Sequence, residues 1–215
     1  MTATLGVLFA AWECAPPTKT GGLGDVAAAL PAALRELGID ARVLLPGYTE
    51  LLAGLDDARP LARIAPVADF PPAQLLAAQH RNGVPLLIIA CSQLFERDGG
   101  PYLDPQGLDW PDNALRFGLL SYVAALLASP RSPAAWRCDI VHCNDWQTAL
   151  APAYLHWASD TAVPSLITIH NLAYQGIFPP ETLAEVGLPR SSFDVNGVEF
   201  HGNLSFLKAG LYYAQ

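Results

Sequence analysis

The chain has 215 residues, 52% of them apolar and 15% charged, enough to bury a sizeable core as one compact domain. Its formal charge of −8 excludes non-specific attachment to nucleic acid or to an anionic membrane, since both need a basic face that displaces counterions. No run of eighteen apolar residues occurs, and the first apolar run has neither a basic flank nor a small-residue cleavage site, so a cytoplasmic protein without a targeting segment is expected.

Residues 5–11 are continuously apolar and read as a buried strand, followed by a glycine loop at 19–25, Lys-Thr-Gly-Gly-Leu-Gly-Asp. Residues 25–37 are helix-forming and bent slightly by Pro31, Gly38 stops them, and 41–45 form a second strand before Pro46-Gly47. This is a βαβ unit. Between 63 and 90 short apolar runs flank Asn82-Gly83, a hairpin turn dipeptide, and 84–91 read as a buried strand, so a β-hairpin is inserted into the sheet.

The segment 92–112 is rich in Gly, Pro and Asp and too long for a simple connector, which marks it as a functional loop. Asp112 then caps a helix running through Ala128. Two more strand-to-helix or strand-to-loop transitions follow, 139–142 into 147–158 and 165–170 into the loop 171–178, and an amphipathic helix covers 204–214. The expected class is α/β: a Rossmann-like, three-layer, open and mostly parallel sheet whose ligand edge lies at the carboxyl ends of the strands. Cys14, Cys91, Cys138 and Cys143 sit in apolar surroundings and read as reduced core thiols, and no metal site is expected from their spacing.

Three constellations carry chemistry. In the first loop, Gly21, Gly22 and Gly24 let backbone N–H groups approach an anion at a helix start, and Lys19 adds a full charge. Lysine is scarce in this chain, with only Lys19 and Lys208 against ten arginines. The spacing is neither a Walker loop nor the dinucleotide fingerprint. The second constellation, residues 142–147 (His-Cys-Asn-Asp-Trp-Gln), ends a strand in polar groups and an indole. Asp145 serves there either as a helix cap or as an acceptor for sugar hydroxyls beside the apolar wall of Trp146. The third, residues 168–176, places His170, Asn171, Tyr174 and Gln175 together, directed donors and acceptors suited to a polyhydroxylated ligand. No nucleophile elbow for Ser/His/Asp chemistry appears.

At these motifs the sequence resembles the amino-terminal domain of bacterial glycogen synthases and plant starch synthases, retaining glucosyltransferases of the GT-B type. The likeness extends through residues 41–46 (Ala-Arg-Val-Leu-Leu-Pro), 100–102 (Gly-Pro-Tyr), 112–117 (Asp-Asn-Ala-Leu-Arg-Phe) and 205–211 (Ser-Phe-Leu-Lys-Ala-Gly-Leu). It implies transfer of glucose from ADP-glucose to the non-reducing end of an α-1,4-glucan such as glycogen, with no metal and no cofactor beyond the substrate.

By the same resemblance, residues 1–215 form one half of a GT-B enzyme, and the carboxy-terminal nucleotide-binding domain is absent from this chain. Lys19, Gly21 and Gly22 are expected at the diphosphate, with Asp25 bracing the loop. Tyr102, Asp145, His170 and Asn171 are expected at the glucose or acceptor, with Trp146 and Tyr174 shaping the pocket. A non-catalytic glucan- or nucleotide-binding domain is the alternative. A dehydrogenase does not fit, because the second strand ends in Pro46-Gly47 without the ribose-binding acid.

Overall fold

A computed structural model describes residues 4–158 and 163–215. In chain order the elements are β1 (Gly6–Ala10), α1 (Gly22–Glu36), β2 (Asp40–Pro46), α2 (Thr49–Ala53), β3 (Arg59–Ile64), β4 (Ala73–Gln79), β5 (Pro85–Ala90) and α3 (Asn113–Ala128). The second half adds β6 (Ile140–Asn144), a 3-10 turn (Trp146–Thr148), α4 (Ala151–Trp157), β7 (Ser165–Thr168), β8 (Ile177–Phe178), α5 (Thr182–Glu185), a second 3-10 turn (Arg190–Ser192), β9 (Glu199–Phe200), β10 (Asn203–Ser205) and α6 (Phe206–Tyr213).

Seven strands form one sheet in the order β3-β4-β5-β2-β1-β6-β7. From β5 to β7 every pairing is parallel, while β3, β4 and β5 pair antiparallel. The β4–β5 hairpin turns at Asn82-Gly83, where Gly83 takes φ +86° and Asn82 Oδ1 accepts from the Val84 N–H at 3.2 Å. The three remaining strands make a small antiparallel sheet, β8-β10-β9.

A parallel sheet covered on both faces must be apolar throughout, and β1, Gly-Val-Leu-Phe-Ala, is buried at every position. Burying a side chain such as Leu8 or Phe9 contributes about 1.5–3 kcal/mol. Helix α3 is buried on nearly all sides and packs against α4, β1, β2 and β6. All four cysteines are free and buried, and burial pushes the thiols of Cys14, Cys138 and Cys143 up to about 12.

From β1 the chain moves to β2 on one side and returns to β6 on the other, so the strand order reverses between β1 and β6. In open α/β sheets that crevice, at the carboxyl ends of the strands, is where ligands bind.

Several expectations need correction. Helix α1 begins at Gly22 rather than Asp25, because the extended Gly21 takes the N-cap and the two following glycines enter the first turn. The carboxylate of Asp112 does not cap α3. Arg97 draws it across the 92–112 loop, with Nη1 to Oδ1 at 3.0 Å, and only the Asp112 carbonyl joins the helix by accepting from Arg116 N–H. The helix expected over 147–158 is interrupted into the 3-10 turn and α4, and the loop 171–178 ends in β8.

Candidate functional site

The carboxyl ends of β1, β6 and β7 open onto a cavity of about 890 Å³. Gly22, Tyr102, Asp145, Trp146, His170, Asn171 and Tyr174 line it, so residues from all three constellations and the 92–112 loop meet there. Lys19, Gly21 and Asp25 are outside its lining. Lys19 Nζ instead donates to Asp25 Oδ2 at 2.7 Å, in an ion pair whose side chains are 49% and 60% exposed.

The glycine loop is held from beneath by a residue that sequence reasoning missed. Glu13 follows β1 and is 1% exposed. Its Oε2 accepts from Thr20 N–H at 2.7 Å and from the Thr20 hydroxyl, and its Oε1 accepts from Gly24 N–H at 3.1 Å. Two of the loop's amides therefore already serve a carboxylate of the protein. The amides of Gly21, Gly22 and Leu23, at the start of α1, have no acceptor among the described residues. A single acid inside the apolar stretch 9–15 was the available signal, since a buried carboxylate needs partners.

Tyr102 connects this loop to the end of β6. Its phenol oxygen accepts from Gln147 Nε2 at 2.8 Å, and it shares the cavity wall with Thr20, whose hydroxyl donates to Glu13. Burial first, and then the charge of Glu13, holds the phenol protonated well above its ordinary range. Asn113 anchors the same segment by donating from Nδ2 to the Tyr102 carbonyl at 3.1 Å.

Asp145 has φ +62° and ψ 179°, a backbone region that is nearly exclusive to glycine. Its amide donates to Thr168 O at 2.8 Å across to β7, and its Oδ1 accepts from Trp146 N–H at 3.1 Å. The carboxylate thus caps the 3-10 turn and also lines the cavity. Burial raises its pKa, opposed by the Trp146 N–H, the His170 charge, and the N–H groups of His170 and Asn171.

Beside it, His170 Nε2 lies 3.1 Å from Asn144 Oδ1. Its neighbour His142 is bonded to Thr168 Oγ1 at 2.8 Å and is lowered to about 4, mainly by burial and then by the His170 charge. The Trp146 indole meets Phe117 edge-on at 4.6 Å and sits over Gly176, giving the cavity an aromatic floor. Asn171 Oδ1 accepts from Ala173 N–H at 3.0 Å, and Tyr174 is exposed at the rim. The arrangement presents a carboxylate, an imidazole, a phenol and amides around aromatic surface, with unpaired helix amides at one end. Such a set has the hydrogen-bonding capacity to meet hydroxyls and an anion together.

Among the described residues, no helix is long and apolar enough to cross a membrane. The family model described as the starch synthase catalytic domain matches residues 6–215. The chain is 57% identical over 213 residues to a glycogen synthase of Nitrosospira multiformis, which covers 97% of this chain and 43% of that protein. It is 58% identical over 212 residues to a glycogen synthase of Aromatoleum aromaticum, covering 99% and 43%. The solved catalytic domain of Starch Synthase IV from Arabidopsis thaliana, bound to ADP and acarbose, superposes with a TM-score of 0.77 at 26% identity, covering 99% of this chain and 44% of that one. The chain therefore spans well under half the length of these relatives, and it belongs to the family of starch synthase catalytic domains.

Proposed function

We propose that this chain is the amino-terminal part of a glycogen synthase that transfers glucose from ADP-glucose to the non-reducing end of an α-1,4-glucan, with retention, in the cytoplasm. The observation that carries the reading is the meeting of Gly22, Tyr102, Asp145, Trp146, His170 and Asn171 on one cavity at the sheet's reversal point. The ADP and acarbose bound to the Arabidopsis structure support it.

In this reading Lys19 and the free amides of Gly21 and Gly22 receive the diphosphate, and Asp25 holds Lys19 until the ligand arrives. As the bond to the anomeric carbon breaks, negative charge grows on the phosphate and positive charge on the sugar. Fixed donors at the helix start stabilise the first without reorganising. Asp145 and the His170 region face the second, while Trp146 and Tyr174 exclude water. Tyr102 and Asn171 orient glucose or acceptor hydroxyls. The reaction needs no metal in this scheme, because Lys19 and the amides neutralise the leaving group, and no carboxylate is assigned as a covalent nucleophile. The wall facing the cavity, with the base-binding groups, comes from sequence that the longer relatives possess.

The test joins this chain to the remaining carboxy-terminal sequence of the Nitrosospira multiformis enzyme. The joined protein is expected to incorporate labelled glucose from ADP-glucose into glycogen, and the 215-residue chain alone to show negligible turnover. Near-parental rates from the chain alone would refute the half-site reading. An inactive but folded chimera that binds neither ADP-glucose nor glycogen would refute the functional one.

A further inference from the structure

We propose that Asn144 is a positioning residue that decides which nitrogen of His170 carries the proton, leaving Nδ1 as the ring atom that accepts a sugar hydroxyl. The second half of this inference rests on the sugar-binding reading of the cavity.

Asn144 closes β6 at the reversal point and is 1% exposed. Its Nδ2 donates to Ala10 O, at the end of β1, and to His142 O, each at 3.2 Å. Both partners are carbonyls, which only accept, so the amide nitrogen must face them. Turning the amide over would set its oxygen against two carbonyl oxygens in a buried place and forfeit both bonds.

The orientation of Oδ1 follows. It points at His170 Nε2, 3.1 Å away, and an amide oxygen has no proton to give. Nε2 must therefore be the donor. Two ring states satisfy this requirement, the neutral Nε2–H tautomer and the imidazolium. The neutral Nδ1–H tautomer would oppose two lone pairs and is disfavoured.

Among the described residues, no other side chain is hydrogen-bonded to the His170 ring. His142 is committed through Nε2 to Thr168 Oγ1 and packs edge-on against Phe9 with ring centres 4.7 Å apart. The Asp145 carboxylate is committed through Oδ1 to the Trp146 N–H at 3.1 Å. With Nε2 spent on Asn144, the one polar ring atom left on this cavity-lining residue is Nδ1, which in the neutral ring is a pure acceptor. It can receive a hydroxyl proton but cannot bond an ether or carbonyl oxygen. The sheet itself, through carbonyls of β1 and β6, thus selects hydroxyl donors at this point.

The test is long-range nitrogen–proton correlation on the chain labelled at histidine nitrogens, at alkaline pH where the rings are neutral. His170 is expected to show a pyrrole-type Nε2 whose proton exchanges slowly, and a pyridine-type Nδ1. In Asn144→Leu that proton should exchange at the solvent rate, with the signals of His80, His156 and His201 unmoved as the control for folding. If the variant does not fold, the unmodified chain decides alone: a pyrrole-type Nδ1, or an Nε2 proton exchanging as in free histidine, overturns the lock. So does a folded Asn144→Leu with the Nε2 proton unchanged. In the chimera, which carries the facing wall, excess ADP-glucose with maltotriose should then move the His170 Nδ1 resonance toward that of a hydrogen-bonded acceptor. A locked tautomer whose Nδ1 ignores both ligands would overturn the hydroxyl-acceptor role and count against the sugar reading, while the lock stands.

Discussion

Trp146 and Gly176 share one space: a Cβ built on Gly176 would stand 2.2 Å from indole Cε3 and 2.8 Å from Cζ3. The glycine also takes φ +60°, in the left-handed region. The loop after β7 can return beneath the indole only because no side chain intervenes, and this contact sets the floor of the cavity.

Gly176→Ala is therefore expected to destabilise by about 2–4 kcal/mol, the sum of a left-handed non-glycine residue and an overpacked contact. For a chain of this size each kcal/mol lowers the thermal midpoint by about 2–4 °C. Combining it with Trp146→Ala should cost less than the two single changes added, because the clash disappears with the ring. Thermal unfolding of the four proteins measures this, and simple additivity would contradict the shared-space account.

Asp145 illustrates a site held at the expense of stability. Its pKa is raised, chiefly by burial, so the folded state favours the proton more than the unfolded chain does. The penalty is fully present above the folded pKa and fades as pH falls through it toward the ordinary value of 3.8. Asp145→Asn is therefore expected to raise the thermal midpoint at neutral pH, with the gain vanishing in acid, while sugar-nucleotide transfer by the full-length chimera falls at least a hundredfold. A midpoint lowered at neutral pH would show that the carboxylate stabilises the fold instead.

Much of this architecture is legible in residues. Continuous apolar runs announced β1 and β5, and a run broken only by Arg42 announced β2, because strands covered on both faces leave little polar side, and Asn82-Gly83 announced its hairpin through the positive φ that Gly83 adopts. The third constellation pointed to the carboxyl end of β7 for the same reason of topology. The roles of Glu13, a lone acid in an apolar stretch, and of Gln147, the last residue of the second constellation, were not legible, because they lie in partners distant in sequence, Gly24 and Tyr102, that only the folded chain brings near. The Asp112 cap failed for a related cause, since Arg97, fifteen residues away, outcompetes a local helix end. The small sheet β8-β10-β9 is built of two- and three-residue strands, too short to show any alternation.

The buried His142 carries a pH dependence of its own. Burial lowers its pKa from 6.5 to about 4, so the unfolded chain takes up a proton below 6.5 that the folded one refuses until about 4. Stability is thus expected to fall as pH drops through that window, by at most about 1.4 kcal/mol per pH unit from this one group. His142→Gln, which can still reach Thr168, should flatten the slope of urea midpoints across the same interval. An unchanged slope would assign the acid sensitivity elsewhere.

Lys19 and Glu13 should separate binding from folding in opposite ways. Lys19 forms a half-exposed pair with Asp25, and exposed pairs contribute about 0–1 kcal/mol, so Lys19→Ala should leave the thermal midpoint nearly unmoved. Its charge is what the diphosphate would meet, and in the chimera the apparent affinity for ADP-glucose should fall at least tenfold. Glu13→Gln replaces a buried carboxylate that accepts from two amides and a hydroxyl with a group having one acceptor oxygen and two donors. Leaving at least one of those loop donors without its charged partner should cost about 1–3 kcal/mol, and the loosened loop should weaken ADP-glucose binding as well. Calorimetric titration beside thermal unfolding of both variants distinguishes the two roles. A Lys19→Ala protein that melts early but binds normally would reverse the assignment of Lys19, and a Glu13→Gln protein unchanged in both readouts would remove Glu13 as the support of the glycine loop.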